Sequence, residues 1–432
     1  MRILVVERTF PWPETNGTSI RVANVVRALA QLGDVDFFLL AHGGTPPTTT
    51  VPDGEPVARM ARAAKAPHTS PRRGLRAHEA EWLLTTSLPF AVAMRDYSAI
   101  HSTFREWARS RYDLAWVGRA HAYVPLAGLI EAPTIVDFDD LEDRKIGAWL
   151  DVAPSVAALS KGESGRRGPA VLLRRWGSRA VNEVNLRRWR ALEQRIAGAV
   201  ERVVVCSELD RQRLGLPNAV VIANGYTPPE RPAGRSEPGD PPTILFVGAL
   251  GYAPNADAAR FLVREILPRV RARLPSARVR IVGDGERRVA DLAAVDGVTL
   301  TGFADDIGSE LALADAAAVP MRFGSGTRVK ILEAFAHRVP VVSTALGSEG
   351  LGTIHDRHLL VAEDPDAFAA ACADLLTDRE LRHRLVDSAH ELYWRRYRWD
   401  IIRPRISELG ARVAESGERS QLGTPASHVP PR

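Results

Sequence analysis

Short apolar runs alternate along this chain with amphipathic stretches of helical period. That alternation predicts strands joined by helices, and therefore parallel pairing. Arg2–Val6 is the first run, and a loop rich in turn formers, from Pro11 to Gly17, follows it. Ile20, Val22, Ala23, Val26, Leu29 and Ala30 then recur at helical spacing up to Gly33, a C-terminal stop. Val35–Leu40, Leu114–Val117, Thr134–Val136, Val203–Cys206 and Val220–Ala223 predict further strands. Helices are predicted around His78–Thr85 and Ser98–Arg109, and Val181, Val184, Trp189, Leu192, Ile196 and Val200 mark a long amphipathic one. Residues 43–74, rich in Thr, Pro, Gly and Arg, read as a long mobile excursion, and residues 144–178 read as irregular.

Residues 226–242, YTPPERPAGRSEPGDPP, divide the chain as a linker. Beyond them the alternation restarts. Strands are predicted at Ile244–Val247, Val279–Val282, Val298–Leu300, Ala316–Val319, Val339–Ser343 and Leu359–Val361. Helices are predicted at Asn255–Arg273, Asp364–Thr377, Arg379–Tyr393 and Asp400–Ala414, and the tail 415–432 is expected to be disordered. The chain thus reads as two doubly wound α/β domains, 1–225 and 243–394, joined by that linker.

Composition agrees and adds little. With 432 residues and 45% hydrophobic content there is apolar material for two cores. The two cysteines, Cys206 and Cys372, lie far apart in apolar stretches, which argues against a disulfide framework or a zinc site and suits a reducing cytoplasm. The opening MRILVVERTF is too short in apolar residues for a signal segment, and no run long enough for a membrane span follows, so a soluble cytoplasmic protein is expected. The net charge of +5 is modest, and no nucleic-acid partner is expected. From Lys161 to Arg202, however, eleven Lys/Arg face four Asp/Glu. A solvated helical face is the plainer explanation, and peripheral contact with an anionic membrane is the alternative.

Candidate chemistry concentrates in Met321–Leu351, MRFGSGTRVKILEAFAHRVPVVSTALGSEGL. The loop Phe323–Thr327 can hold backbone N–H groups open, because glycine tolerates close approach and unusual dihedrals. A helix from about Arg328 to His337 then offers its positive end to an anion. Arg328 and Lys330 sit in that first turn, where dipole logic alone prefers acids, so a doubly charged ligand explains them better. Lys330 and Glu333, at i and i+3, share a face and can equally be a local ion pair. The site therefore reads as a nucleotide-diphosphate cradle with a carboxylate for sugar hydroxyls. In the first half, the strand-end residues His121 and Asp139 are candidates, and the acidic run Asp137–Asp143 contains Asp-x-Asp. Such a pair can hold a divalent ion. Cations at the helix end make a metal redundant, so Asp139 or Asp140 is expected to orient an acceptor hydroxyl or to attract a cationic acceptor. Glu142 and Asp143 are expected to be solvated.

The second half resembles the retaining glycosyltransferases of family 4, through ILFVGALGYAPNADA, VRIVGDGE, VTLTGFADD, the Met321–Leu351 segment and YRWD. The first half is similar more loosely, through MRILVV, the Gly17 loop, the His121 and Asp139 strand ends and VVVCSE…VIANG. The resemblance implies the GT-B fold, two doubly wound Rossmann-like domains facing a cleft, with helix 399–414 crossing back to an acceptor-side first domain. It implies a hexosyltransferase that takes a nucleotide-diphosphate sugar, needs no metal or other cofactor, and glycosylates a natural product, polysaccharide or lipid-linked glycan. Glu333 matches the second carboxylate of the family's E-x7-E motif, which binds donor ribose, but Ser325 stands where the first is usual. The family's Arg and Lys after the first strand of the second domain are replaced by Ala249-Leu250-Gly251-Tyr252, which makes Arg328, Lys330 and Arg322 the candidate cations. Gly17, Gly248, Gly326 and Thr327 are expected near the phosphates, and Gly302-Phe303 near the base. Two rivals fit the same residues: a nucleotide-sugar epimerase or hydrolase, and a non-catalytic sugar-nucleotide-binding protein.

Overall fold

A computed structural model describes residues 1–41, 49–69, 75–144, 146–147, 169–235, 237–324 and 326–422. Among them the chain forms two compact units. One comprises Met1–Ile146, a segment ending at Ala223, and the chain from Ile402 onward; the other runs from Asn224 to Ile401. No helix among the described residues is long and apolar enough to cross a membrane.

The first unit is built on seven strands: β1 (Arg2–Glu7), β2 (Asp34–Leu40), β3 (Arg59–Ala63), β4 (Leu114–Gly118), β5 (Thr134–Asp139), β6 (Arg202–Val205) and β7 (Ala219–Val221). All pair in parallel, in the order β3-β2-β1-β4-β5-β6-β7. Parallel sheets are covered on both faces, and β1, β2, β4, β5 and β6 are accordingly largely buried, while the edge strands β3 and β7 are only partly so. Val6, Phe38, Val117, Val136 and Val205 pack with Trp189 and Ile196 of the helix Pro169–Ala199 in one core.

The second unit repeats the winding with six strands: β8 (Thr243–Val247), β9 (Arg278–Val282), β10 (Val298–Gly302), β11 (Ala316–Val319), β12 (Val341–Ser343) and β13 (Leu360–Val361). Their order is β10-β9-β8-β11-β12-β13, again parallel. In both sheets the winding reverses beside the first strand, next to β1 and β4 in one and to β8 and β11 in the other. Ligands of open α/β sheets lie beyond the carboxyl ends of strands at such a point.

Several elements differ from the sequence reading. Residues 59–63, expected in a mobile excursion, form the edge strand β3, because backbone pairing with β2 needs no apolar run. Residues 169–178, expected to be irregular, begin the 31-residue helix Pro169–Ala199. The last helix runs from Trp399 to Leu422, eight residues into the segment expected to be disordered. From Ile402 it belongs to the first unit, where the Ser407 hydroxyl donates to the Ala28 carbonyl at 2.8 Å. The helix expected over Asn255–Arg273 is interrupted by a π-turn at Leu262–Ile266.

The proline-rich segment 226–242 is bound along the second unit. Gly234 N–H donates to His337 O at 2.7 Å, and Gly239 and Thr243 N–H donate to the fully buried Asp315 carboxylate at 2.8 and 2.7 Å. Asp315 therefore fixes the entry into β8 from the start of β11. Replacing it with alanine leaves those N–H groups without an acceptor in a dry site, and Asp315→Ala should cost about 2–4 kcal/mol. Urea denaturation of the variant checks this, and a loss within error of zero would remove the role.

Candidate functional site

At the reversal point of the second sheet, β8 ends in the loop Gly248–Tyr252 and β11 in the loop Pro320–Arg328. Close backbone packing holds the first loop. Gly248 N–H donates to Val282 O at 2.9 Å and Leu250 N–H to Asp284 O at 2.7 Å. Gly283 (φ 147°) is forced to be glycine, since a Cβ there would stand 2.0 Å from Gly248 O. Gly324 and Gly326 have φ of 107° and 87°, which only glycine adopts without strain, and they turn the second loop into the helix Val329–Ala336. Its cap residue, Arg328, makes no side-chain cap. Val329 N–H donates to Thr327 O at 3.1 Å and Ile331 N–H to Arg328 O at 2.9 Å, which leaves, among the described residues, the Lys330 N–H of the first turn for an anion. Arg328 itself is buried, with its guanidinium beneath Gly324.

Lys330 lies half-buried where the two loops meet. Its Nζ donates to Asn255 Oδ1 at 2.9 Å and sits 4.5 Å from the centre of the Phe246 ring. Asn255 is in turn oriented by donating to Ala249 O at 3.0 Å. A Cβ on Gly248 would stand 2.7 Å from Nζ, so that glycine makes room for the lysine. Lys330 and Glu333 do not form the local ion pair that their spacing allows, and among the described residues neither has an ion-pair partner within 4 Å. Burial, then the neighbouring Arg328 charge, brings Lys330 down to about 7. Burial brings Glu333 up to about 7.

Arg322 is held elsewhere, with Nε donating to Asp257 Oδ2 at 2.9 Å and its guanidinium 4.7 Å over the Phe261 ring. Its charge is matched locally, unlike that of Lys330. Gly302 (φ 75°) ends β10, and its carbonyl accepts from Gly283 N–H at 2.7 Å. The adjacent Phe303 is 53% exposed, which excludes it from the core. Thr327 O accepts from Val329 N–H at the helix start. Ser325 lies outside the described residues.

The reversal point of the first sheet is also charged, and around Asp137 and Asp139 the charges are matched. Arg21 makes a two-pronged pair with Asp137, at 2.9 Å from each oxygen. Arg119 donates to Asp139 at 2.6 Å and to Thr18 Oγ1 at 3.1 Å, and Cys206 Sγ lies 3.2 Å from Asp139. Arg119 and Asp139 both have positive φ, 66° and 55°. Glu7 is brought up to about 8, first by burial and then by Asp137. Asp143, expected to be solvated, is buried and paired with Arg190 at 3.1 Å. His121 packs 4.6 Å from the Trp189 ring, 3.8 Å from Glu142. Gly17 opens the helix Gly17–Leu29, which Asn16 caps. Among the described residues, no three His, Cys, Asp or Glu are grouped to hold a metal ion.

Two doubly wound parallel sheets of this order define the GT-B fold. Sucrose-phosphate synthase from Thermosynechococcus elongatus superposes with a TM-score of 0.64 at 18% identity, over 96% of this chain and 99% of that one. Anabaena Alr3699/HepE, solved with UDP and glucose, gives 0.61 at 15%, over 95% and 100%. Residues 241–378, within the second unit, match the model of the family described as Glycosyl transferases group 1. A GDP-mannose-dependent alpha-(1-6)-phosphatidylinositol monomannoside mannosyltransferase of Mycobacterium tuberculosis is 28% identical over 250 residues, 51% of this chain. The chain spans 64% of the length of that relative. The lipopolysaccharide core biosynthesis glycosyltransferase LpsE of Rhizobium meliloti is 30% identical over 165 residues, 36% of this chain and 45% of its own.

Asn255 and Asp257 escaped the sequence reading. Their partners lie 75 and 65 positions away, so only the loop placement brings them together. Lysine in the unfolded chain titrates near 10.5, so between about 7 and 10.5 the unfolded state binds more protons and this group makes stability rise with pH. Glu333 acts oppositely between 4.5 and about 7, where the folded state keeps the proton. Lys330→Met should therefore flatten the rise above neutrality. Denaturant titrations near neutral and near alkaline pH read this out, and an unchanged rise would exclude Lys330 as its source.

Proposed function

We propose that this chain is a retaining glycosyltransferase that moves a hexosyl group from a nucleotide-diphosphate sugar to an acceptor hydroxyl. The observation that carries the reading is the half-buried Lys330, set between two glycine loops at a sheet reversal with no carboxylate paired to it. A lysine brought down to about 7 regains its proton beside an anion, and a diphosphate supplies the anion. The M. tuberculosis relative is named GDP-mannose-dependent, and Alr3699/HepE has been solved with UDP-glucose, which supports a nucleotide donor here.

In this reading the bond from the sugar's anomeric carbon to the β-phosphate oxygen breaks, and negative charge accumulates on the leaving diphosphate. Protonated Lys330, Arg328 and the backbone N–H of Lys330 stabilise it where it develops. Glu333 accepts hydrogen bonds from donor hydroxyls. The acceptor oxygen attacks from the face that the diphosphate leaves, and the departing phosphate oxygen takes its proton, so configuration is kept. Phe303 flanks the base. No resident metal is required by this scheme, and two buried free thiols fit a reducing compartment such as the cytoplasm. The first unit takes the acceptor, with His121 available to contact it. Arg119 and Cys206 already engage Asp139, which leaves it orienting Arg119 rather than a hydroxyl.

Binding a diphosphate should draw a proton onto Lys330, so affinity should fall as pH rises above about 7. Lys330→Gln should weaken nucleoside-diphosphate binding by roughly 10–100-fold, the effect of one charge-assisted bond, and abolish that pH dependence. Titration calorimetry with UDP, GDP, dTDP and ADP across neutral pH checks both. Unchanged affinity in Lys330→Gln combined with Glu333→Ala would sink the site. Turnover of donor sugar without any acceptor would favour an epimerase or hydrolase instead.

A further inference from the structure

A second cluster of cations lies in the first unit, at the carboxyl edge of its sheet. Arg8 directly follows β1, Lys65 lies just past β3, and His121 sits in the first turn of the helix Arg119–Leu126 after β4. Arg95 joins them through an antiparallel bridge to His68. Together they wall a cavity of about 80 Å³ that Leu40 and Val92 line with apolar surface. One water needs roughly 10–15 Å³ of such space, so a group of several heavy atoms fits.

The cations here are not matched as those around Asp137 and Asp139 are. Among the described residues no carboxylate comes within 4 Å of Arg8, Lys65 or Arg95. Arg8 is half-buried, and Arg95 is close enough to oppose its charge. Glu142 is the carboxylate that acts on Arg8, and it stands 3.8 Å from His121 Nδ1. The Tyr97 hydroxyl donates to Val92 O at 2.8 Å and so closes the wall rather than reaching inward. Two arginines and a lysine against one glutamate leave a surplus of about two positive charges, the charge of a phosphate monoester.

We propose that this pocket binds a phosphate group of the acceptor, held by Arg8, Lys65 and Arg95 beside the hydroxyl to be glycosylated. The inference rests on the reading of the first unit as the acceptor side. It reverses the sign expected from the Asp137–Asp143 run, whose leading carboxylates are matched by arginines. The same phosphate chemistry has two sources, a soluble sugar phosphate and a lipid headgroup.

The test uses the full chain, titrated with glucose 1-phosphate and with phosphatidylcholine vesicles with and without phosphatidic acid. Glucose 1-phosphate and phosphatidic acid both carry a phosphate monoester. Saturable binding to either phosphate-bearing probe is expected, and the probe that binds assigns the source. Arg95→Gln should weaken it roughly tenfold, and Lys65→Gln, on an exposed residue whose loss does not threaten folding, severalfold. Nucleoside-diphosphate affinity should be unchanged in both variants. Binding of neither probe, or binding that Lys65→Gln combined with Arg95→Gln leaves unaltered, overturns the proposal. Failure of wild-type chain to bind any nucleoside diphosphate would instead overturn the donor reading and leave the pocket result standing.

Discussion

The donor site depends on a half-buried lysine that, among the described residues, has no carboxylate paired to it. Lys330 has an amide oxygen and an aromatic face for company, and neither compensates a full charge as a carboxylate does. Burial brings its ammonium down to about 7, and an anion beside it would favour the protonated form. Gly248 leaves the space and Asn255 sets the direction.

The comparison between the two sheets sharpens this. Both wind in the same order, and both gather charge where the winding reverses. In the first sheet Arg21 and Arg119 are matched to Asp137 and Asp139, and Glu7 is pushed toward its neutral form, so the cluster is internally satisfied. It stiffens the strand ends, at the cost of two non-glycine residues with positive φ. In the second sheet Arg322 is matched to Asp257 in the same manner, whereas Lys330, among the described residues, is held by an amide oxygen and no carboxylate. A matched network organises a scaffold, whereas an unmatched charge waits for a ligand.

Most of the second unit was legible because buried parallel strands are plain apolar runs, as in Ala316–Val319 and Ile244–Phe246. Edge strand β3 was not, since RMARA carries no such run and its pairing with β2 is a backbone matter. The helix past Ala414 was hidden because Glu415–Leu422 is polar and lacks any start or stop signal of its own. At the site, Lys330 and Glu333 could be read from local spacing and glycine placement. Their separation into an asparagine-bound lysine and an unpaired carboxylate could not, because Asn255 enters from another element, the helix Ala253–Phe261. The burial of Asp143 depends likewise on Arg190, from a helix some distance along the chain.

The most direct measurement is a backbone and lysine-side-chain NMR titration of the full chain with a nucleoside diphosphate. The account predicts the largest shifts at the amides of Gly248–Gly251, Gly324, Gly326 and Val329, together with reprotonation of Lys330 Nζ above neutral pH. Shifts confined to the strand ends around Arg119 and Asp139, with Lys330 unmoved, would contradict it.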